Sequence, residues 1–197
     1  ELVQAGATVS FDGLHDVVYP NEATGGCVST FSSWGSTPTL DIKPEISAPG
    51  GNIYSVSKDQ KYEVMSGTSM ATPHMAGLAA LVEQYVRSRH PQQDAAASAD
   101  LTNHLLVSTA VPQQENGVYV SPRRQGAGLV NAAAAISTPA YIDVDGKLVG
   151  KLELGDDPER TGVYEMTFEV VNFSDSDKTY TLDTTVLGQK AVGGLMK

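Results

Sequence analysis

The sequence predicts an α/β part followed by an all-β part. Three observations carry this. Residues 69–89 form one long, strongly apolar run with helical stop signals at its end. Two short strand-like runs bounded by turns stand just before it. Near Ser137-Thr138-Pro139 the spacing of apolar residues switches from helical to alternating, and it stays alternating to about residue 187.

Taken in order, residues 1–30 are mixed. "GATVSF" alternates like a short strand, and a loop rich in Asp, Asn, Pro and Gly follows. "ISAPGGNIYSV" reads as a turn leading into a buried strand, and "KYEVMSG" as a short strand ending at Gly67. From Ser69 to Arg89, the residues Met70, Ala71, Met75, Ala76, Leu78, Ala79, Leu81, Val82, Tyr85 and Val86 are apolar, and the first half has almost no polar face. A helix apolar all round is expected to be buried all round. Arg87, Arg89 and His90 suit the negative end of the helix dipole, and Pro91 stops the helix. "SADLTNHLLVSTA" predicts a second, shorter helix with Asp100 among its candidate caps, and "GLVNAAAAI" (128–136) a third.

Beyond residue 139, "AYIDV", "KLVGKLEL", "VYEMTFEVVNF" and "KTYTLDTTVL" predict about four strands. A complete immunoglobulin-type or fibronectin-type sandwich needs roughly seven. The expectation is therefore a truncated sandwich, or a small sheet leaning on its neighbour. Tyr141, Tyr164, Phe168, Phe173 and Tyr180 alternate within these runs and read as core. The acidic "SDSD" at 174–177 reads as a solvated turn before it reads as a calcium loop.

Composition excludes several functional classes. At 197 residues the chain holds one or two domains, and 41 % hydrophobic content is enough for a real core. A net charge of −10 argues against nucleic-acid binding, which needs a basic patch. No run of 18 apolar residues exists to span a membrane. The start, "ELVQAGATVS", has neither the charged nor the apolar region of a secretion signal, and it lacks Met, which suggests a piece or a processed form. The single cysteine, Cys27, excludes an internal disulfide and a thiolate zinc cluster, and reads as a small buried apolar residue rather than a reactive thiol.

The chemistry concentrates in "MSGTSMATPHMAG", residues 65–77. Here a strand ends, a glycine allows a sharp turn, and a helix opens close to Ser69. A helix start offers unpaired N–H groups and a partial positive charge. An oxyanion forming at a carbonyl attacked by Ser69 would be stabilised there, with the Ser69 amide as a natural donor. The small Ala71 permits close approach, and Pro73 falls near the helix start, where its missing N–H costs least. Thr72-Pro73 also fits as cap and first residue, so two starts are open. A plainer reading competes: Ser and Thr before a helix are ordinary caps.

The longer string resembles the nucleophile motif of the subtilisin-like serine proteases, the subtilases. There Gly-Thr-Ser-Met-Ala-x-Pro-His carries the attacking serine, and Gly67, Thr68, Ser69, Met70, Ala71, Pro73 and His74 fill every fixed position. "FSSWG" (31–35), "IKPEISAPG" (42–50) and "YSV" (54–56) are similar to the stretch before that serine, and "QGAGLVNAAAAI" to the closing helix of the catalytic domain. The form is most similar to large cell-envelope subtilases, which carry a protease-associated insert and fibronectin-like domains. The resemblance implies a return segment over 1–27, the C-terminal portion of a three-layer parallel-sheet catalytic domain over 28–137, and a partial β-sandwich over 138–197. It implies a secreted or cell-surface endopeptidase acting on protein or peptide substrates, with Gly67, Thr68 and Ser69 as the nucleophile loop. By weaker analogy, Met65 and Phe31 stand on the leaving-group side of the substrate. No cofactor is implied beyond calcium, for which no ligand set with diagnostic spacing exists.

His74 cannot be the base for Ser69. Five residues on a helix give roughly 140° of rotation and about 7.5 Å of rise, so the two point to different sides. It reads as a core histidine behind the helix start. His15 reads as solvated in its loop, His90 as a helix-end residue, and His104 as part of the second helix. None of them stands in the family's His-Gly-Thr setting, no Asp stands in Asp-Ser/Thr-Gly, and neither Asn21 nor Asn52 has the oxyanion-asparagine setting. In the family's chain order these partners precede the serine, so they are expected before residue 1. The chain alone is therefore expected to be inactive, with the missing N-terminal half of the catalytic domain as its partner. Two other readings remain open on the residues: an α/β-hydrolase esterase built on a nucleophile elbow, and a non-catalytic surface adhesion or carbohydrate-binding module.

Overall fold

The structure is a computed structural model that describes residues 25–39, 41–144, 152, 154–187, 191–192 and 195–196. The expected strand at "GATVSF", His15, Asn21, most of the 1–27 segment and most of "KLVGKLEL" lie outside these residues.

The first elements are β1 (Ile53–Val56) and β2 (Tyr62–Met65), paired antiparallel with Ile53 opposite Met65 and Val56 opposite Tyr62. Both were expected as strands. The expectation of burial fails: Tyr54, Val56, Tyr62 and Val64 share one face, and all are well exposed. The Tyr54 and Tyr62 rings stack at 5.5 Å on that face.

Two residues beyond β2 begins α1 (Thr68–Arg89). Glu83 and Arg87 pair at i, i+4 with Nη2 and Nε of Arg87 on one carboxylate oxygen, at 2.6 and 3.0 Å. His90 closes the helix by donating its amide to the Val86 carbonyl at 2.8 Å. Met75, Ala79, Val82 and Val86 make one stripe that faces the core. The helix is not buried all round. Thr72, Pro73, His74, Ala76, Gly77 and Ala80 are exposed, and Leu81 is 61 % exposed. The apolar sequence demands cover on every side, and the described residues cover only one.

The helix α2 (Ala95–Ser108) follows, capped by Asp94, whose carboxylate accepts from the Ala97 amide at 2.8 Å. Asp100 is not the cap. A cap needs extended backbone, which Asp94 has (φ −71, ψ 172), and Asp100 sits inside the helix. Leu101, Leu105 and Leu106 join Val82, Val86 and Ala135 in the core. Ala135 belongs to α4 (Ala132–Ser137), capped by Asn131.

Between α2 and α4 lie the short hairpin β3 (Gln114–Glu115) and β4 (Val118–Tyr119) and the single turn α3 (Pro122–Gln125). The side chain of Gln125, 1 % exposed, ties them together. Its Oε1 accepts from the Gln113 amide at 2.6 Å and its Nε2 donates to the Val120 carbonyl at 2.6 Å. Residues 126–130 then run beside 45–47 and against Val111. Gly126 (φ 63) and Gly128 (φ 126) are both obligatory here: a Cβ would lie 2.3 Å from the Glu45 carbonyl in one case and 2.3 Å from the Val111 carbonyl in the other.

The expected layered parallel sheet is not present among the described residues. The strands there pair only as antiparallel hairpins, and the one parallel contact is a bridge between Ser47 and Leu129. Parallel neighbours need crossover connections, and the described segments supply hairpins instead. The mixed helix-and-strand content fits an α/β class.

In the last part, β5 (Ala140–Asp143) pairs with β6 (Glu169–Asn172), while β7 (Ala191–Val192) and β8 (Leu195–Met196) make a two-residue ladder. Residues 163–168 and 178–187 alternate correctly but find no strand partner among the described residues, because alternation specifies a face and not a partner. Tyr141 and Phe173 pack on the helical core as expected. Tyr164, Phe168 and Tyr180 do not, at 45, 37 and 47 % exposure. The "SDSD" run is a turn in which Ser174 bonds to the Asn172 side chain. An aromatic chain joins the parts: His104 meets Tyr141 edge-on at 5.4 Å, Tyr141 stacks on Phe173 at 5.9 Å, and Phe173 meets His90 at 5.8 Å.

Candidate active site

The turn between β2 and α1 is built from backbone contacts. The Gly67 amide donates to the Gly50 carbonyl at 2.8 Å. A Cβ at Gly50 would stand 2.7 Å from the Gly67 carbonyl and 3.1 Å from the Ala71 methyl, so the approach requires glycine at 50 and a small residue at 71. Next to it, the Asn52 amide donates to the Ser66 hydroxyl at 2.8 Å, and that hydroxyl donates to Asn52 Oδ1 at 3.3 Å. Asn52 itself is left-handed (φ 53), a conformation asparagine tolerates better than most residues. The Gly50–Asn52 loop therefore holds Ser66 and Gly67 from behind.

The helix starts at Thr68, which decides between the two starts the sequence left open. Gly67 is the cap in extended backbone, and its carbonyl accepts from Met70 at 3.0 Å and Ala71 at 3.4 Å. Its backbone (φ 160) is extended and does not itself demand glycine. Thr68 and Ser69 are the first two helical residues, so their amides have no intrahelical acceptor. The Ser69 side chain is exposed, and its hydroxyl makes no hydrogen bond among the described residues. The first turn carries no acidic side chain, so the partial positive charge of the helix start stays available to a ligand oxygen. A hydroxyl beside two free amides at a helix start can attack a carbonyl and leave the resulting oxyanion facing N–H donors.

Pro73 differs from its expected place. With the helix opening at Thr68 it lies inside α1, where its missing N–H withholds a donor from the carbonyl four residues back, that of Ser69. His74 differs as well. It is exposed, not core, and its Nδ1 hydrogen-bonds the Met70 carbonyl at 3.0 Å. The other described histidines lie elsewhere: His90 ends α1, about 30 Å along the helix from Ser69, and His104 is 2 % exposed under Tyr141.

Met65 and Phe31 are exposed at 42 and 45 %. Met65 ends β2, and Phe31 lies on a segment that α3 clamps. Arg123 Nε donates to the Gly35 carbonyl at 2.5 Å, and the Gly35 amide donates back to the Arg123 carbonyl at 2.8 Å. Arg124 donates to the Val28 carbonyl at 2.9 Å and lies 5.2 Å over the Trp34 ring. Ser29 on this segment reaches Gly51, with Oγ 3.5 Å from where a Cβ would be. Sequence reasoning missed Gly50, Asn52 and Ser66 as supports of the turn; the cluster Ala48-Pro49-Gly50-Gly51-Asn52 was legible only as a turn. Cys27, expected to be buried, is an exposed free thiol.

A strand, a glycine turn and a helix opening on Gly-Thr-Ser define the class: residues 4–128 match the subtilase family, and the chain belongs to it. Among its relatives, the C5a peptidase of Streptococcus pyogenes serotype M1 is 34 % identical over 190 residues, covering 95 % of this chain and 16 % of that protein. The PI-type proteinase of Lactococcus lactis subsp. cremoris is 36 % identical over 171 residues, covering 80 % of this chain and 9 % of that protein. The chain thus spans less than a fifth of the length of either relative. The structure of the prenylagaramide maturation protease PagA is similar over 52 % of this chain and 34 % of that one, at 27 % identity and a TM-score of 0.42. No described helix is long and apolar enough to cross a membrane.

Proposed function

We propose that this chain supplies the nucleophile of a longer, secreted or cell-surface serine endopeptidase, and that on its own it is inactive. The observation that carries the reading is the Ser69 hydroxyl standing exposed at the second residue of α1, in a turn held from behind by Gly50 and Asn52. Ser69 Oγ attacks the scissile carbonyl as an imidazole takes its proton. The Ser69 amide donates to the oxyanion, and as the C–N bond breaks the imidazolium returns the proton to the leaving nitrogen, expelling the amine and leaving an acyl-enzyme that water hydrolyses. That imidazole, the acid that orients it and the asparagine of the oxyanion hole come from sequence other than this chain. Without the base a serine hydroxyl is a poor nucleophile near neutral pH.

Met65 and Phe31 line the leaving-group side of a protein substrate in this reading, which their exposure supports. Residues 138–197 are the beginning of a fibronectin-like β domain. The uncovered apolar side chains Val163, Met166, Leu182 and Val186 support it, since a second sheet would cover them.

A fluorophosphonate probe tests both claims. The isolated chain should label negligibly at Ser69, and the longer protease stoichiometrically. Ser69→Ala in the longer protease should abolish turnover, with a loss on the order of 10⁶ in kcat, the figure measured on subtilisin, itself a member of this family. Rapid stoichiometric labelling of the isolated chain sinks the claim of inactivity. Retained turnover in Ser69→Ala sinks the assignment of the nucleophile.

A further inference from the structure

We propose that His74 is a positioning residue for Ser69, acting as a clamp on the Met70 carbonyl that offsets the donor Pro73 withholds. The inference rests on the reading of Ser69 as nucleophile. In a regular α-helix the Ser69 carbonyl would accept from the amide of residue 73. Residue 73 is proline, so that bond is absent, and the ring presses on the same turn. The peptide unit of the nucleophile is therefore the one unit of the first turn that the regular helical ladder does not tie down.

Its two neighbours carry extra ties. The Thr72 hydroxyl donates to the Thr68 carbonyl at 3.1 Å, and His74 Nδ1 bonds the Met70 carbonyl at 3.0 Å. Both bonds run back four residues, one on each side of the Ser69 carbonyl. Since a carbonyl can only accept, His74 presents Nδ1–H to Met70, and its Nε2 is turned away from this bond. The imidazole thus acts through the backbone and takes no proton from Ser69. This gives a role to the histidine that spacing removes as a base.

The test uses the longer protease that contains this chain. Asparagine places an amide N–H₂ where His74 has Nδ1–H, and alanine places none. His74→Ala should lower kcat about three- to tenfold, the value of one partly exposed hydrogen bond expressed only in a correctly placed nucleophile, with KM unchanged. His74→Asn should restore kcat to within about twofold of the parent. In a Pro73→Ala background, where residue 73 again donates to Ser69, the loss on His74→Ala should shrink, so the two changes couple. Fluorophosphonate labelling to full stoichiometry in each variant shows that the site is folded. Unchanged kcat in His74→Ala, no rescue by asparagine, or an equal loss in both backgrounds overturns the proposal. If Ser69→Ala keeps its turnover, the nucleophile reading has failed instead, which is a separate result.

Discussion

Gly50 and Gly67 do different work although they meet at one hydrogen bond. At Gly50 a methyl group would stand 2.7 Å from the Gly67 carbonyl, and that atom is backbone and cannot swing aside. Gly50→Ala should therefore destabilise the chain by about 1–3 kcal/mol, read as a shift in the denaturation midpoint. At Gly67 an added Cβ makes only ordinary contacts, 3.7 Å to Met70 Sδ and 3.8 Å to the Ser69 amide nitrogen. Gly67→Ala should cost less than about 1 kcal/mol of fold stability, yet slow labelling of Ser69 in the longer protease, because the methyl adds bulk 3.8 Å from the amide nitrogen an oxyanion needs. Equal labelling rates would show that the amide is approached from another side. Gly67, Thr68 and Ser69 were legible because a motif is local. The demand on Gly50 was not, since it comes from a carbonyl 17 residues away in sequence. His74 was misplaced for a related reason: an apolar pattern says that a face wants cover and not which segment provides it.

The elements show the same division. Helices α1, α2 and α4 were legible in place, because their periodicity lies within the segment that folds, and α1 in extent too; α2 opens three residues before the expected 98 and α4 four residues after the expected 128. Asp100, one of the candidate caps of α2, lies inside the helix that Asp94 opens, six residues before it. Strands fared worse, because pairing is non-local: β5 finds β6 across a 25-residue connection, and equally alternating runs find no partner among the described residues. What fastens that hairpin to the helices is Tyr141, between His104 and Phe173. Burial, and next the charge of Asp143, raise the Tyr141 pKa above its ordinary value of 10.0. A raised folded-state pKa means that the folded chain favours the neutral phenol. The stabilisation is fully present below pH 10 and is lost as pH rises through the folded value. Tyrosinate absorbance from Tyr141 should therefore appear only above pH 10, together with loss of the near-ultraviolet aromatic signal. Tyr141→Phe should remove that alkaline transition. A Tyr141 that ionises at or below pH 10 contradicts this.

At the scale of the whole chain, apolar surface outruns the core that covers it. Among the described residues the buried cluster is six side chains from α1, α2 and α4, while the far side of α1 and one face of the β1–β2 hairpin stand open. Leu81 at 61 % exposure stands on that open side of α1, with the exposed Gly77 one turn before it. Folded monomers rarely expose contiguous apolar patches beyond a few hundred Å², so this one should find a partner. In the isolated chain the available partner is another copy, opposed only by the mutual repulsion of chains carrying a net charge of −10. The apparent mass in sedimentation should rise with concentration, and rise further in salt, which screens the repulsion and leaves the apolar attraction in place. Leu81→Lys should return the chain toward monomer without lowering its thermal midpoint, because the leucine is mostly solvated in the single chain and its removal opens no cavity. A chain that stays monomeric across concentration and salt, or a Leu81→Lys variant that unfolds, would show that this face of α1 is already covered by the chain's own residues.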